Sequence, residues 1–186
     1  MPLPPDSPTP AGATTPAPLA GSLRIGHGYD LHRLEPPPPS GKGRPFVLGG
    51  VKIDHPVGPV GHSDGDALYH AVTDAILGAL AMPDIGQLFP DTDPRHDNED
   101  SSVYVREAVS RVAAIGWSVV NIDCTVVLER PKLSPVKDAV RANIAGLLGV
   151  GIDRVNVKGK THEKVDAVGE GRAIEVHVVA LLQQRA

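Results

Sequence analysis

Residues 63–82, SDGDALYHAVTDAILGALAM, decide the fold class. Ala67, Leu68, Ala71, Val72, Ala75, Ile76 and Ala79 recur at three- and four-residue spacing, which lines them along one face of a helix. Ser63, with Asp66 three residues on, is the expected N-cap, and the helix is expected to run to about Met82. Toward the N-terminus, Leu23 to Tyr29 reads as a strand, followed by a loop through Arg44 that Pro36 to Pro39 stiffen. Pro45 to Ile53 reads as a second short strand. Toward the C-terminus, turn residues fill Pro83 to Asp97, and a second helix spans Ser102 to just before Gly116. Trp117 to Leu128 is the clearest strand, β-branched and mostly apolar. Ser134-Pro135 is expected to cap a third helix ending before Gly149, with short strands at Arg154 to Val157 and Ile174 to Leu182. Strands alternating with helices predict an α/β chain, a single domain with a mixed β-sheet and helices packed on one face.

Of 186 residues, 20 are glycine and 19 proline, but seven of the prolines precede residue 19. Residues 1–22 carry one charge, Asp6, and are expected to be a disordered Pro/Ala-rich tail, with residues 23–186 forming the domain. That segment has neither the basic start of a secretory signal nor the Arg-rich character of a transit peptide. The longest apolar runs fall far short of the ~18 residues that span a bilayer, so no membrane partner is expected. A net charge of −4 and 3% aromatic residues argue against nucleic acid, which needs a basic surface and stacking platforms. One cysteine, Cys124, permits no disulfide within the chain and fits a reducing compartment, the cytoplasm.

Polar residues concentrate in four places. Asp30 and His32 stand two apart at a strand end, so both side chains point to one face. His70 lies in the first helix with Asp66 and Asp74 four residues to either side. One Asp and two His form a ligand set that leaves a fourth tetrahedral position open, as catalytic zinc sites do. The competing reading is a wet helix face and a surface pair. The second place, Gly61 to Asp66, precedes a helix N-terminus that attracts anions, although Asp64 and Asp66 would repel a phosphate there. The third is the Pro-stiffened Arg130-Pro131-Lys132-Leu133-Ser134. The fourth is the basic loop Lys158 to Lys164, whose carboxylate Glu163 offers a hard oxygen for Mg²⁺. Each of the last two also reads as an ordinary solvated connection.

Taken in order, Arg24 to His32, Gly61 to Asp66 with His70, Asp84-Ile85-Gly86 and Phe89 to Pro94 resemble the 2-C-methyl-D-erythritol 2,4-cyclodiphosphate synthases. The resemblance runs from Arg24 to Leu182. It implies a homotrimer around a central channel, with active sites shared between subunits. It implies a metal-dependent phosphorus–oxygen lyase of the non-mevalonate isoprenoid pathway, acting on a cytidine diphosphate derivative. Asp30, His32 and His70 match the zinc ligands, one ion per chain. Glu163 matches the ligand of a Mg²⁺ or Mn²⁺ on the substrate diphosphate. His62 and Thr161 match the transition-state stabilisers. Substrate contacts are implied at Asp30, Leu31, His32, His62 and Ser63, at Asp84, Ile85 and Gly86, and at Phe89, Pro90, Asp91, Thr92 and Asp93. The nucleotide pocket is implied at Leu128, Glu129, Arg130, Pro131, Lys132, Leu133 and Ser134, with Lys160, Thr161, His162 and Glu163 beyond it. The family's later Gly-Arg-Gly-Glu-Gly segment stands here as Val168-Gly169-Glu170-Gly171-Arg172. Two other readings stay open: a zinc-dependent phosphohydrolase, and a non-catalytic trimer that binds CDP compounds.

Overall fold

Strand β1 (Leu23–Glu35) alternates a helix-covered face with an open one, and its glycines mark where the covering helix touches. A Cβ built on Gly28 would lie 1.8 Å from the Ala71 carbonyl oxygen, and one on Gly26 1.9 Å from that of Ala75. Only glycine lets the backbone of helix α1 (Ala67–Gly78) sit directly on the strand. Gly28→Ala should therefore destabilise the fold by about 3 kcal/mol, lowering the melting temperature by roughly 6–12 °C. Thermal denaturation within 2 °C of the wild type would show that the close approach is not needed.

The structure, a computed structural model, describes residues 22–61, 63–90, 92–93 and 97–185. His62, Asp91 and the expected tail up to residue 21 lie outside the described residues. After β1 come the two-residue strands β2 (Val47–Leu48), β3 (Val51–Lys52) and β4 (Gly58–Pro59), then α1, α2 (Ile85–Leu88) and α3 (Ser102–Ala114). Strand β5 (Trp117–Val127), α4 (Lys137–Leu148), β6 (Val155–Lys160), α5 (Asp166–Gly169) and β7 (Ala173–Gln184) complete the order. The main sheet runs β4-β1-β7-β5-β6, antiparallel except for the parallel β5–β6 pair. The expected mixed sheet in one α/β domain is therefore present.

Helices α1, α3 and α4 bury the core on one face, where Leu68, Val72, Ile76, Val105, Ile144, Val176 and Val178 are fully enclosed. The opposite face leaves Ile25, Tyr29, Leu31 and Val179 exposed. One-turn α5 modifies the one-face expectation, because its Val168 packs with Val127 and Ala173 in a separate small cluster. Those two strand residues alternate with Val126 and Ile174 of the main core, which puts α5 on the other side.

Several boundaries differ from the sequence reading. Strand β1 continues six residues past Tyr29 because β7 pairs with it as far as Arg33 opposite Ala173, and β4 takes up Leu34 and Glu35. The expected strand at 45–53 is a hairpin turning at Gly49 and Gly50, both at positive φ. Helix α1 begins at Ala67 and ends at Gly78, and its cap is Asp66 rather than Ser63. The Asp66 carboxylate is fully buried and accepts from the amides of Gly49, Gly50, Leu68 and Tyr69 at 2.7–3.2 Å. Burial pushes its pKa up and those amides oppose the shift. One side chain thus caps the helix and pins the hairpin.

Ser134-Pro135 does not cap α4, which starts at Lys137 after Val136 without a side-chain cap. The residues expected as a basic loop split, since Lys158 to Lys160 extend β6 beside β5. Helix α2, unforeseen, is a single turn closed by an Asp84–Gln87 capping box. Cys124 is enclosed in the core, and burial pushes its thiol up to about 12, the state of an inert structural cysteine.

Candidate metal centre and nucleotide cleft

Asp30 and His32 project from the helix-covered face of β1, and the Gly28–Ala71 contact brings the preceding helical residue, His70, over them. The Asp30 Oδ2 atom lies 2.9 Å from His32 Nε2 and 3.0 Å from His70 Nδ1, and the two nitrogens are 3.3 Å apart. Ligand atoms set tetrahedrally about 2.0–2.1 Å from a zinc ion stand about 3.3 Å from one another. The three donors therefore fit one small cation, with one side left open. Among the described residues they are the group of His, Cys, Asp and Glu side chains close enough to do so.

Burial works against the Asp30 carboxylate, but hydrogen bonds and charge from His32 and His70 outweigh it and hold its pKa well below the usual carboxylate range. His32 experiences the reverse: burial lowers its pKa, and the bond to Asp30 more than restores it, for a net rise. On its far side, His32 Nδ1 lies 3.1 Å from the Val60 carbonyl oxygen. A carbonyl only accepts, so Nδ1 carries a proton and Nε2 is the nitrogen left to face a cation. The neighbouring acids in α1 serve the fold. Asp66 is the cap already described, and Asp74 accepts the Ile85 amide at 2.8 Å, tying α2 to α1.

Around these donors opens a cleft of about 440 Å³, bordered by residues 30–33, Val60, Gly61, Ser63, Ile85, Gly86, Phe89 and Tyr104. It gathers Leu31, Ile85, Gly86 and Phe89 from the expected substrate contacts, whereas Asp84, Pro90, Thr92 and Asp93 do not line it. Ser63 borders it, but its hydroxyl is buried and 3.1 Å from His70 Nε2. The sequence reading missed Tyr104, whose ring lies 4.4 Å from that of Phe89, and Ser101, whose hydroxyl is 2.9 Å from His70 Nε2. No local pattern could have revealed Ser101, because it meets His70 from 31 positions away.

A second cleft, about 350 Å³, is formed by residues 128–134, Lys137 and residues 159–161. It brings together the whole expected nucleotide segment with Lys160 and Thr161. His162 and Glu163 lie just beyond, where Thr161 Oγ1 donates to Glu163 Oε1 at 3.1 Å and His162 Nδ1 meets Asp166 at 3.1 Å. Glu163, Lys164 and Asp166 all have positive φ, unfavourable for residues with a Cβ. Such conformations persist where surrounding structure imposes them, often at ligand sites.

The two clefts are apart in one chain. Asp30 is opposite Val176, Val176 opposite Val126, and Val126 opposite Gly159. That row crosses three strand spacings, about 14 Å.

These features define an α/β protein with three donors placed to hold a cation in one cleft and a second, Pro-stiffened cleft three strands away. A sequence profile of the YgbB family matches residues 23–183, and the chain belongs to that family. Among its relatives, the chloroplastic 2-C-methyl-D-erythritol 2,4-cyclodiphosphate synthase of Oryza sativa subsp. japonica is 52% identical over 95% of this chain and 77% of its own length. The synthase of the same name from Chromobacterium violaceum is 53% identical over 87% of this chain and 99% of its own. A CDP complex of IspF from Plasmodium falciparum superposes with a TM-score of 0.76 at 37% identity, covering 88% of this chain and 97% of that one. A CDP-bound 2C-methyl-D-erythritol-2,4-cyclodiphosphate synthase gives 0.76 at 43% identity, covering 86% and 99%.

Proposed function

We propose that this chain cyclises 4-diphosphocytidyl-2-C-methyl-D-erythritol 2-phosphate to 2-C-methyl-D-erythritol 2,4-cyclodiphosphate with release of CMP, a step of the non-mevalonate isoprenoid pathway. The Asp30–His32–His70 donor triangle carries the reading, set in a chain half identical to synthases of that name. Asp30, His32 and His70 would hold one zinc per chain, and Glu163 a Mg²⁺ or Mn²⁺ shared with the diphosphate. When bound, these cations offset the repulsion between two phosphates and the charge of an in-line transition state. The chain's own residues bind and fold the substrate. Residues 128–134, with Lys132 among them, take the cytidine diphosphate end, and the Asp30–Phe89 cleft takes the methylerythritol phosphate end.

The 2-phosphate oxygen attacks the β-phosphorus, the bond from that phosphorus to the CMP oxygen breaks, and CMP leaves. Nucleophile and electrophile share one molecule, so a held conformer supplies effective molarities of roughly 10⁵–10⁸ M without a covalent side-chain nucleophile. Thr161 and His62 are assigned to stabilise the transition state. Mass spectrometry of the product from authentic substrate tests the reading. A cyclic diphosphate with CMP supports it, inorganic phosphate indicates a phosphohydrolase, and unchanged substrate indicates a binding protein.

A homotrimer around a central channel, with each active site shared, accounts for two observations. The open sheet face leaves Ile25 71% and Leu31 50% exposed, apolar surface that a neighbouring subunit would cover. The about 14 Å between the clefts of one chain is removed when the metal centre of one subunit meets the nucleotide cleft of the next.

Glu163→Gln should retain zinc and lose most turnover, because it removes the charged oxygen that would hold Mg²⁺ or Mn²⁺ and leaves the Asp30 triangle intact. Parallel elemental analysis and steady-state assay check this, and full activity or loss of zinc would count against the role. Residues 23–186 would be the working unit, so deleting residues 1–22 should leave kcat/KM unchanged within about twofold, because every residue assigned to the site lies after residue 29. The cytoplasmic assignment rests on the single buried Cys124 and a reducing environment. Among the described residues no helix is long and apolar enough to cross a membrane. Cell fractionation separates a cytoplasmic location from the chloroplast named for the rice relative.

A further inference from the structure

Behind the metal centre, His70 Nε2 faces a buried group of hydroxyls rather than solvent. Ser101 Oγ is 2.9 Å from it and Ser63 Oγ 3.1 Å, and both serines are buried. Ser101 Oγ is also 2.5 Å from Asp64 Oδ1. Asp64 accepts further from the Ser101 amide through Oδ2, at 3.2 Å, and from the Asp66 amide through Oδ1, at 3.1 Å. A carboxylate that collects three donors has no proton to give. The Ser101 hydroxyl donates to Asp64 at 2.5 Å, far shorter than its 3.4 Å approach to Ser63 Oγ, and so turns lone pairs toward the imidazole. Ser101 Oγ, the nearer of the two hydroxyls, is then an acceptor for His70 Nε2, and a proton held there leaves the Nδ1 lone pair, on the side of Asp30 and His32, for a cation.

We propose that Asp64 and Ser101 are positioning residues for the metal centre: acting in series, they fix the tautomer and ring orientation of His70 so that Nδ1 can ligate. The relay mirrors the Val60 carbonyl behind His32, so each imidazole is oriented from its far side. It also gives helix α3 a role in the site, because Ser101 immediately precedes that helix and the Asp64 carboxylate grips its backbone. The inference rests on reading Asp30, His32 and His70 as metal ligands.

The test measures zinc affinity by competition with a chromophoric chelator, and the visible absorption of the cobalt-substituted protein, in wild type and Ser101→Ala. Loss of the orienting hydroxyl should weaken zinc binding about 10–100-fold and change the cobalt spectrum, the range expected when an outer partner of a metal ligand is removed. A folded Ser101→Ala protein with zinc affinity within twofold of wild type and an unchanged cobalt spectrum overturns the proposal. Should Ser101→Ala fail to give a cooperative melt, Asp64→Asn takes its place under the same criteria, since it keeps the shape but removes an acceptor oxygen where three donors converge. A wild-type protein that binds neither ion refutes the ligand reading itself, an outcome distinct from a wild type that binds and a variant that binds equally well.

Discussion

Purified His70→Ala should contain almost no zinc where the wild type contains about one ion per chain, and it should remain folded. His70 supplies one of three donors within 3.3 Å of one another, so its removal leaves a carboxylate and one imidazole, too few to hold the ion. The fold should survive because the apolar face of α1 is a separate stripe: Leu68, Ala71, Val72, Ala75 and Ile76 are fully buried, and His70 is not among them. Activity should fall by roughly a thousandfold or more, since a bound cation contributes several kcal/mol at a phosphoryl centre. Elemental analysis and a thermal melt decide the matter. Unchanged zinc in a folded variant would refute the ligand assignment, and would remove the basis for the relay through Ser101 as well.

Activity should reappear when two dead variants are mixed. Asp30→Ala disables the metal centre and Thr161→Ala the cleft formed by residues 128–134 and 159–161, and the two sites lie about 14 Å apart across one sheet. If an active site takes Asp30 from one subunit and Thr161 from its neighbour, random assembly makes roughly a quarter of the interfaces wild type at both positions. Co-expressed variants should then recover about a quarter of wild-type activity, while each alone stays inactive. Mixed trimers confirmed by mass yet inactive would place both residues in the service of one chain's site. Full inactivity with monomers in solution would instead remove the trimer.

The sequence alone determined the elements whose patterns are local. The helical spacing of Ala67 to Ile76 and the β-branched run from Trp117 both carry their conformation in a few neighbouring residues, and the structure contains each of them. It also marked Asp30, His32 and His70 as a candidate donor set, and the structure brings the three together. What it could not determine depends on residues far apart in the chain. The true cap of α1 is Asp66 rather than Ser63 because the Gly49-Gly50 turn offers Asp66 two more amides and encloses it. Strand β1 extends through Asp30 and His32 because β7, some 140 positions later, supplies hydrogen bonds that outweigh the weak strand preference of polar residues. Ser63 and Ser101 gained their places behind His70 only when α3 docked beside α1. Local propensities are worth tenths of a kcal/mol per residue, whereas burying a carboxylate or hydroxyl without a partner costs one to several. Tertiary structure therefore decided which partners Asp66, Ser63 and Ser101 acquired.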